Sequence, residues 1–413
     1  MEPLLSICIP TYNRRVYLEN TIAALAPILA RAPVEIVVSD DASSDDTPAF
    51  LAELAAREPR ARIVRQPKRL GGFANTLFVL RAARGRFAVY NADDDRLVAD
   101  AVLATVGFLE ANPDYSAVYA PVEGFDITSD RSTGLSAHTA ETVDFDARQR
   151  LDLIAYICLG LMPEHAVYRT AGLHGVMPDP QIYWSLTLLD AALCHGKVRF
   201  TPAPFYRATY SHWIGEQRDQ LFERLLADTL SWETFRFGLE MILIGQPDGH
   251  AQPSRLSQTR ALIDQSIGKR QGVALDFLAA QARWVEFVHA YRMLSVRGAL
   301  PREFPELELF RASINAVAAV IADHRLIHGF DRVMLVGLPD FAVVLAETLA
   351  AMAISVASAP NLESVPAGEG VLLVVADGAM AEQTVGLGVP HHAVRNFAAL
   401  YATYDLTALR SHG

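Results

Sequence analysis

The first hundred residues alternate between short apolar runs rich in β-branched side chains and longer segments whose apolar positions recur with helical spacing. Strands are predicted at Leu4–Ile9, Val34–Ser39, Ala61–Arg65 and Arg86–Tyr90, and helices at Val16–Leu29, Thr47–Arg57 and Phe73–Arg84. Strands that alternate with helices in this order predict an α/β fold, built on a doubly wound, mostly parallel sheet with right-handed crossovers.

Polar residues cluster at the points where three of these predicted strands end. Thr11–Asn13 follow the first strand, Asp40–Asp41 follow the second, and Asn91–Asp95 follow the fourth. In open α/β sheets, ligands bind beyond the carboxyl ends of the strands. The pattern therefore predicts one binding site that these three clusters share.

The chain beyond residue 215 has a different organisation. A mostly helical pattern runs to about residue 321, and a strand at Arg332–Val336, a turn at Gly337–Pro339 and a helix follow it. We therefore predict three parts, at residues 1–215, 216–328 and 329–413, the last a small Rossmann-like α/β domain. Its turn has one glycine where a dinucleotide-binding motif has three, which favours a structural or assembly role.

Composition narrows the class of protein. The chain has 413 residues, of which 51% are hydrophobic, and 36 basic against 47 acidic residues give a net charge of -11. An acidic chain is a poor candidate for binding nucleic acid. The three cysteines have no paired spacing, and the sequence pattern leads us to expect neither a signal peptide nor an apolar stretch of membrane-spanning length. We expect a cytoplasmic protein; a homo-oligomer and peripheral contact with a membrane are both compatible with the sequence.

The acidic run Asp93–Asp95 is the most unusual local feature of the sequence. Three adjacent carboxylates repel one another unless positive charge lies between them. Mg²⁺ and Mn²⁺ take carboxylate oxygens together with the oxygens of a diphosphate, so a metal-bridged diphosphate is one interpretation. The other is a helix cap, since Asp94 or Asp95 could cap the helix predicted at Val98–Glu110. The two interpretations are compatible.

Four motifs in order, SICIPTYNR, IVVSDDASSDDT, LGGFANT and VYNADDD, resemble the family 2 glycosyltransferases of GT-A fold. The run of aspartates is most similar to the abequosyltransferase-like branch. The resemblance covers residues 4–110, continues more weakly to about residue 215 and does not include 240–413.

The resemblance implies a nucleotide-binding role for a defined set of residues. Tyr12 would stack on the base, and Asp41 would accept hydrogen bonds from the base and ribose region. The full set implied for nucleotide binding is Pro10, Thr11, Tyr12, Asp41, Arg69, Asn75 and Asn91. Asn91 stands where the common family motif has its first aspartate, which is a departure from the pattern.

The resemblance also implies a Mn²⁺ or Mg²⁺ cofactor. Asp93 aligns with the metal-ligating aspartate of the family, and Asp95 and His212 are implied as further contacts to the metal, the sugar or the diphosphate. Considered alone, His212 is equally well explained as a packing residue beside Trp213. Trp184 and Trp213 could form a platform for a sugar ring.

The general base is the least defined element of the site. Inverting members of the family use a carboxylate to deprotonate the acceptor hydroxyl. Asp179, which precedes a predicted helix, is our first choice, and Glu164 and Asp190 are alternatives. The Glu-Asp pair common in the family is missing here.

The resemblance implies an inverting, metal-dependent glycosyltransferase. It would move a sugar, which the similarity to the abequosyltransferase-like branch implies is a deoxysugar, from a nucleoside diphosphate donor to a carbohydrate, lipid-linked or protein acceptor in surface polysaccharide or glycoconjugate synthesis. A nucleotidyltransferase is disfavoured, because segment 10–13 is not the glycine-rich loop of that class. The remaining alternative is a catalytically degenerate GT-A protein that serves as a binding or scaffolding subunit.

Overall fold

The computed structural model forms two compact units, Met1–Ile267 and Gly268–Gly413. It describes residues 2–126, 128–136, 140–177, 179, 181–209, 229–247 and 253–404, except for 282, 284–286, 288–289, 292–293, 296–304, 339–342, 366–369 and 388. The division into three parts that we expect from the sequence stays a prediction.

The first unit begins with the predicted alternation of strands and helices. Its strands are β1 (Leu5–Thr11), β2 (Val34–Asp40), β3 (Ala61–Arg65), β4 (Phe87–Tyr90), β5 (Arg96–Leu97), β6 (Tyr115–Tyr119), β7 (Val122–Asp126), β8 (Arg131–Leu135), β9 (Val143–Phe145), β10 (Ala166–Arg169), β11 (Lys197–Phe200) and β12 (Tyr206–Thr209). Its helices are α1 (Arg15–Ala24), α2 (Ala26–Leu29), α3 (Thr47–Arg57), α4 (Gly72–Arg81), α5 (Ala99–Ala111), α6 (Arg150–Cys158), α7 (Trp184–His195) and α8 (Thr229–Ile244).

Eight of these strands form one mixed sheet, in the order β3-β2-β1-β4-β10-β6-β11-β9. The four strands predicted from the first hundred residues are parallel, with β1 between β2 and β4. Strand β10 pairs antiparallel with both β4 and β6, which makes the sheet mixed. The carboxyl ends of β1, β2 and β4 thus lie side by side, as we expected from the polar clusters.

Alternate side chains of the central strands enter two different hydrophobic cores. On β1, Leu5 and Ile7 pack in the core that contains residues of α1, α3 and α5, whereas Cys8 packs in the core that contains residues of α4, α6 and α7. Strand β2 alternates in the same way, with Ile36 and Val37 on opposite faces. Helices therefore cover both faces of the sheet, which confirms the doubly wound α/β fold.

A second, four-stranded sheet has the order β5-β12-β7-β8. The sequence pattern does not predict β7, β8 or β9, because residues 122–147 are polar and rich in turn-forming residues. All five residues of β8 are exposed, so this strand lacks the apolar alternation by which strands are recognised. Strand β12 pairs with both β5 and β7, and the pairing with β5 brings it next to the segment that follows β4.

The second unit contains a four-stranded parallel sheet with the order β14-β13-β15-β16. The long helix α9 (Pro253–Ala280) spans the division between the units. The elements that follow are α10 (Pro305–His328), β13 (Arg332–Val336), α11 (Val343–Ala351), β14 (Ser355–Ala359), β15 (Val371–Val375), α12 (Gly378–Gly386), β16 (Val394–Asn396) and α13 (Phe397–Tyr404). The predicted strand and glycine turn at residues 332–337 are present, and Gly337 has a φ of 61°. The structural or assembly role of this region stays a prediction.

None of the helices in the described parts of the chain combines the length and the apolar character that crossing a membrane requires.

Candidate functional site

A cavity of about 350 Å³ opens at the carboxyl ends of β1, β2 and β4. It is lined by Pro10, Thr11, Tyr12, Arg14, Asp41, Arg69, Gly72, Phe73, Asn75, Thr76, Tyr90, Ala92, Asp93 and Trp184. Six of the seven residues implied for nucleotide binding and one of the three implied for metal binding therefore border one space. The sequence prediction of a shared site at this edge of the sheet agrees with this arrangement.

The loops after β1 and β2 are tied to each other through Asn13. This residue has a φ of 54°, in the left-handed region that asparagine tolerates better than most side chains. Its side-chain oxygen accepts a hydrogen bond from the Ser44 N–H at 2.8 Å, and its own N–H donates to the Ser43 hydroxyl at 2.9 Å. The turn that presents Thr11 and Tyr12 to the cavity is thereby held against the β2 loop.

The acidic loop, residues 91–95, gives each of its three carboxylates a different partner. Asp93 lines the cavity and accepts a hydrogen bond from the Thr11 hydroxyl at 2.7 Å. Asp94 forms an ion pair with Arg14. Asp95 accepts hydrogen bonds from the Tyr206 hydroxyl at 2.7 Å and from the Thr209 N–H at 2.8 Å. Like charges at three successive positions are thus separated by partners from three different elements.

Hydrogen bonds also hold the backbone of the acidic loop. The Thr21 hydroxyl of α1 donates to the carbonyl oxygen of Asp93 at 2.9 Å, and the Thr209 hydroxyl of β12 donates to that of Asp94. The N–H of Ala92 donates to the Tyr206 hydroxyl at 3.0 Å. Tyr206 therefore acts on this loop twice, as donor to a carboxylate and as acceptor from the backbone.

These contacts set the electrostatics of the cavity. The pKa of Asp93 is raised to about 7, chiefly by burial and secondly by the Asp94 carboxylate, while Arg14 and the Thr11 hydroxyl act in the opposite direction. Burial alone would lower the pKa of Arg14, but the Asp93 and Asp94 carboxylates raise it above its usual range. An additional positive charge beside Asp93 would stabilise its ionised form.

Asp41 uses both carboxylate oxygens to hold the loop before α4. It accepts hydrogen bonds from the N–H groups of Leu70 at 2.6 Å and Gly71 at 2.9 Å. There is room for a side chain at Gly71, because no atom lies within 4 Å of the position that a Cβ would take. Its φ of 91°, however, is one that residues with a side chain rarely adopt, and this backbone conformation favours glycine. The loop carries Arg69, whose guanidinium carbon lies 4.3 Å from the centre of the Tyr12 ring. Asp41 thus positions a cation–π pair at the mouth of the cavity.

The two asparagines implied for nucleotide binding lie deeper than Tyr12 and Arg69. Asn75 is buried, accepts from the Ser39 hydroxyl at 2.6 Å and donates to the Ser39 carbonyl oxygen at 3.0 Å. Asn91 is fully buried, and its side-chain amide has no hydrogen-bond partner among the described residues. Asn91 does not itself line the cavity as the described residues define it. Its role in nucleotide binding stays a prediction.

One wall of the cavity is aromatic. Tyr90 and Trp184 pack with ring centroids 5.3 Å apart, and Phe73 contacts the ring of Tyr183 in an edge-on arrangement at 5.3 Å. Trp184 is the first residue of α7 and lies almost wholly in the hydrophobic core. It therefore packs as a core residue and also borders the cavity. Trp213, the other tryptophan considered as a sugar platform, lies outside the described residues.

The candidates for the general base have different surroundings. Asp179 is exposed, accepts a hydrogen bond from the Gln181 N–H at 2.8 Å and, within the described part of the chain, does not line the cavity. Glu164 accepts a hydrogen bond from the Tyr183 hydroxyl, and burial raises its pKa. Asp190 forms an ion pair with the buried Arg150, which favours its interpretation as a structural carboxylate.

The residues implied for the metal are not brought together as a cluster. The described residues contain no group of three or more histidine, cysteine, aspartate or glutamate side chains arranged to hold a metal ion. Asp95 directs its carboxylate to β12, and His212 lies outside the described residues. Of the residues implied for the metal, Asp93 lines the cavity; the other carboxylate in the lining, Asp41, already accepts two backbone hydrogen bonds. A single carboxylate is enough where a diphosphate completes the coordination of Mg²⁺.

Sequence reasoning missed three residues that hold the acidic loop. Arg14 follows the first strand within the PTYNRR segment, and its charge next to a predicted acidic site was the available signal. Tyr206 and Thr209 lie more than a hundred positions from Asp95, on a strand whose pairing could not be derived from local pattern.

The chain is similar to several known proteins. An uncharacterized protein of Mycobacterium tuberculosis is 27% identical over 308 residues, which cover 68% of this chain and 84% of that protein. A GalNAc(5)-diNAcBac-PP-undecaprenol beta-1,3-glucosyltransferase of Campylobacter jejuni is 36% identical over 118 residues, which cover 28% of this chain and 37% of the enzyme. A solved structure of S. aureus TarS in complex with UDP-GlcNAc is 17% identical, with a TM-score of 0.47 over 70% of this chain and 81% of that one.

Residues 6–171 match the sequence model of the family described as Glycosyl transferase family 2. The matched segment runs from β1 past β10 and includes the acidic loop and the loops that hold it. This segment is therefore similar to the family 2 glycosyl transferases, and the GT-A-like α/β fold expected from the sequence is confirmed.

Tyr206→Phe should destabilise the protein by about 1–3 kcal/mol, because the Asp95 carboxylate and the Ala92 N–H each lose a partner in a buried setting. Denaturant unfolding measures the change. Combined with Asp95→Asn, the two effects should be clearly non-additive, since both substitutions remove the same contact. Strictly additive effects would contradict the coupling of β12 to the acidic loop.

His165→Phe should change the pH dependence of stability. Burial lowers the pKa of His165 from 6.5 to about 3, and its ring stacks on Tyr206 at 3.7 Å. Below pH 6.5 the unfolded chain gains a proton that the folded chain does not, so this residue makes the protein less stable as the pH falls. Relative to the variant, the wild type should lose up to about 1.4 kcal/mol per pH unit between pH 6 and 4.5 in denaturant unfolding. Parallel pH profiles would refute a buried, neutral His165.

Proposed function

We propose that this family 2 glycosyltransferase domain transfers a sugar from a nucleoside diphosphate donor to an acceptor hydroxyl. The observation that carries the proposal is the lining of one cavity by an aromatic ring, a cation and a carboxylate, contributed by Tyr12, Arg69 and Asp93. These are the chemical groups that a base, a phosphate and a metal ion require. They lie at the strand ends where α/β sheets bind their ligands.

The donor would enter with its base at the mouth of the cavity. The Tyr12 face that Arg69 now covers is the surface on which a base would stack, and Arg69 would then contact the base or a phosphate. Pro10 and Thr11 border the same side. In this arrangement Asp41 would keep its hydrogen bonds to the backbone and so hold the loop that carries Arg69. A contact of Asp41 with the base or ribose would come in addition.

Asp93 would hold the divalent cation, Mn²⁺ or Mg²⁺, together with the donor diphosphate. A cation bound there would offset the negative charge of the departing nucleoside diphosphate. Thr11 fixes one oxygen of the Asp93 carboxylate by its hydrogen bond, which orients the other oxygen. Asp95 and His212 stay proposed as further contacts, and Asp95 would have to keep or exchange its two hydrogen bonds to β12.

The finer features of the reaction belong to the same proposal. We infer inversion at the anomeric carbon, and a deoxysugar donor on the grounds of the aspartate run that resembles the abequosyltransferase-like branch. The acceptor would be a carbohydrate, a lipid-linked sugar or a protein, in the synthesis of surface polysaccharide or glycoconjugate. A cytoplasmic location is part of this proposal.

Thermal unfolding with UDP, GDP, CDP and dTDP, each with Mn²⁺ or with EDTA, tests the donor site. One nucleotide at about 100 times its dissociation constant should stabilise the protein by about 2.7 kcal/mol, and this gain should require Mn²⁺. Asp93→Ala should lose it, because the other carboxylate in the cavity lining, Asp41, is already engaged by two backbone N–H groups. Asp100→Asn is the matched control, since the Asp100 side chain is 86% exposed and pairs with Arg31 outside the cavity.

The outcome also separates the proposal from its alternative. If no nucleotide stabilises the wild-type protein, the domain is better described as a degenerate transferase with a binding or scaffolding role. If a nucleotide binds equally well with EDTA, the donor site stands and the metal is removed from the proposal.

The general base is tested by two matched substitutions, Asp179→Asn and Glu164→Gln. We propose Asp179 as the base, so Asp179→Asn should lower kcat by at least about 100-fold while the nucleotide-dependent stabilisation is unchanged. Glu164→Gln removes the carboxylate of Glu164 and keeps the size of the side chain. Burial raises the pKa of this carboxylate. A large loss of kcat in Glu164→Gln with none in Asp179→Asn would transfer the role to Glu164.

A further inference from the structure

Arg14 occupies a fixed position beside the acidic loop. It directly precedes α1, its carbonyl oxygen accepts the hydrogen bond of the Leu18 N–H at 3.0 Å, and its N–H donates to the Thr47 hydroxyl at 3.2 Å. The backbone from which the side chain extends is therefore anchored to both α1 and α3. Any adjustment of the guanidinium must come from the side chain alone.

The guanidinium reaches both carboxylates that face this side of the loop. It forms an ion pair with Asp94, and its Nη1 lies 3.6 Å from Oδ1 of Asp93. The Thr11 hydroxyl bonds the opposite oxygen, Oδ2, of Asp93. Oδ1 is thus the oxygen on which Arg14 and a metal ion would converge. The Arg14 side chain is 26% exposed and lines the cavity, so a ligand in the cavity meets it directly.

A cation bound to Oδ1 of Asp93 and the present position of Arg14 are in electrostatic conflict. Mg²⁺ and Mn²⁺ approach carboxylate oxygens to about 2 Å, which would bring the metal to within roughly 4–6 Å of Nη1. At an effective dielectric constant near 20, the repulsion between a divalent cation and a guanidinium at that separation is enough to change a binding constant by at least about tenfold.

We propose that Arg14 is the resident counter-ion of Asp93 and Asp94, and that a divalent cation must displace it from Asp93 in order to bind. The inference rests on the proposed function, since it takes Asp93 as the metal ligand. After displacement from Asp93, the guanidinium would keep its ion pair with Asp94 and its contact with the Tyr17 ring, whose centre lies 5.5 Å from the guanidinium carbon. The diphosphate of the donor offers another partner for a planar, bidentate cation.

The consequence is that the domain binds metal weakly by itself and more tightly with its donor. Without a diphosphate, the displaced guanidinium exchanges the Asp93 carboxylate for water. With a diphosphate in the cavity, it exchanges that carboxylate for phosphate oxygens, and the repulsion between the two cations is compensated. Arg14 is therefore a positioning residue that couples binding of the metal to binding of the donor.

Binding of Mn²⁺ alone, followed by electron paramagnetic resonance of the free ion without nucleotide, tests the inference. Arg14→Gln should bind Mn²⁺ at least about tenfold more tightly than the wild type, because the competing charge is gone. Arg15→Gln is the matched control: this neighbouring arginine lies 3.9 Å from the exposed Asp46 and, among the described residues, does not line the cavity. The control should bind Mn²⁺ as the wild type does.

Thermal unfolding gives a second readout that needs no activity. In EDTA, Arg14→Gln should melt below the wild type, since Asp93 and Asp94 lose their counter-ion, and saturating Mn²⁺ should close most of that gap. Arg14→Lys, which keeps the charge, should keep the weak binding of Mn²⁺, and it tests the proposal if Arg14→Gln fails to fold.

Unchanged or weaker Mn²⁺ binding in Arg14→Gln would overturn the inference, as would tight binding in Arg14→Lys. Absence of Mn²⁺ binding in every variant would also overturn it. In that last case, stabilisation by a nucleoside diphosphate in EDTA would show that the donor site survives, so failure of this inference is distinguishable from failure of the proposed function.

Discussion

The site depends on how the protein separates three adjacent carboxylates. Asp93, Asp94 and Asp95 would repel one another if they shared one environment, and each is instead directed to a different partner. Arg14 pairs with Asp94, and Tyr206 and Thr209 bind Asp95. Asp93 is thereby left facing the cavity, with the Thr11 hydroxyl fixing one of its oxygens. The division of roles among identical residues comes from the elements that surround them.

Those surrounding elements come from distant parts of the chain. The end of β1 and the start of α1 approach the acidic loop from one side, and β12 of the second sheet approaches it from the other. Pairing of β12 with β5, directly after the loop, brings Tyr206 and Thr209 within reach. The parallel strands place the ligand-binding edge, and the second sheet then sets which carboxylate points into it.

The sequence predicts well which edge of the sheet binds the ligand. Alternating strand and helix patterns are local, and the positions of Thr11, Tyr12, Asp41 and Asp93 at one edge follow from the rule that parallel strands end on the same side. Which carboxylate points into the cavity depends instead on contacts between distant parts of the chain. Asp95 was expected near the metal, yet its carboxylate binds β12, and its partners Tyr206 and Thr209 are 111 and 114 positions away. The exposed strand β8 has no apolar alternation, so the pairing of the strands in the second sheet could not be derived from the sequence.

The central claim is that Asp93, of the three carboxylates of the acidic loop, is the main ligand of a metal ion in the cavity. Anomalous diffraction at the manganese edge, from crystals grown with Mn²⁺ and the nucleoside diphosphate that stabilises the protein, tests this claim most directly. We predict one strong peak within about 2–2.5 Å of an Asp93 carboxylate oxygen, with the hydrogen bonds of Asp95 to Tyr206 and Thr209 intact. A peak at Asp95 in place of Asp93, or no peak at Asp93, would contradict the account.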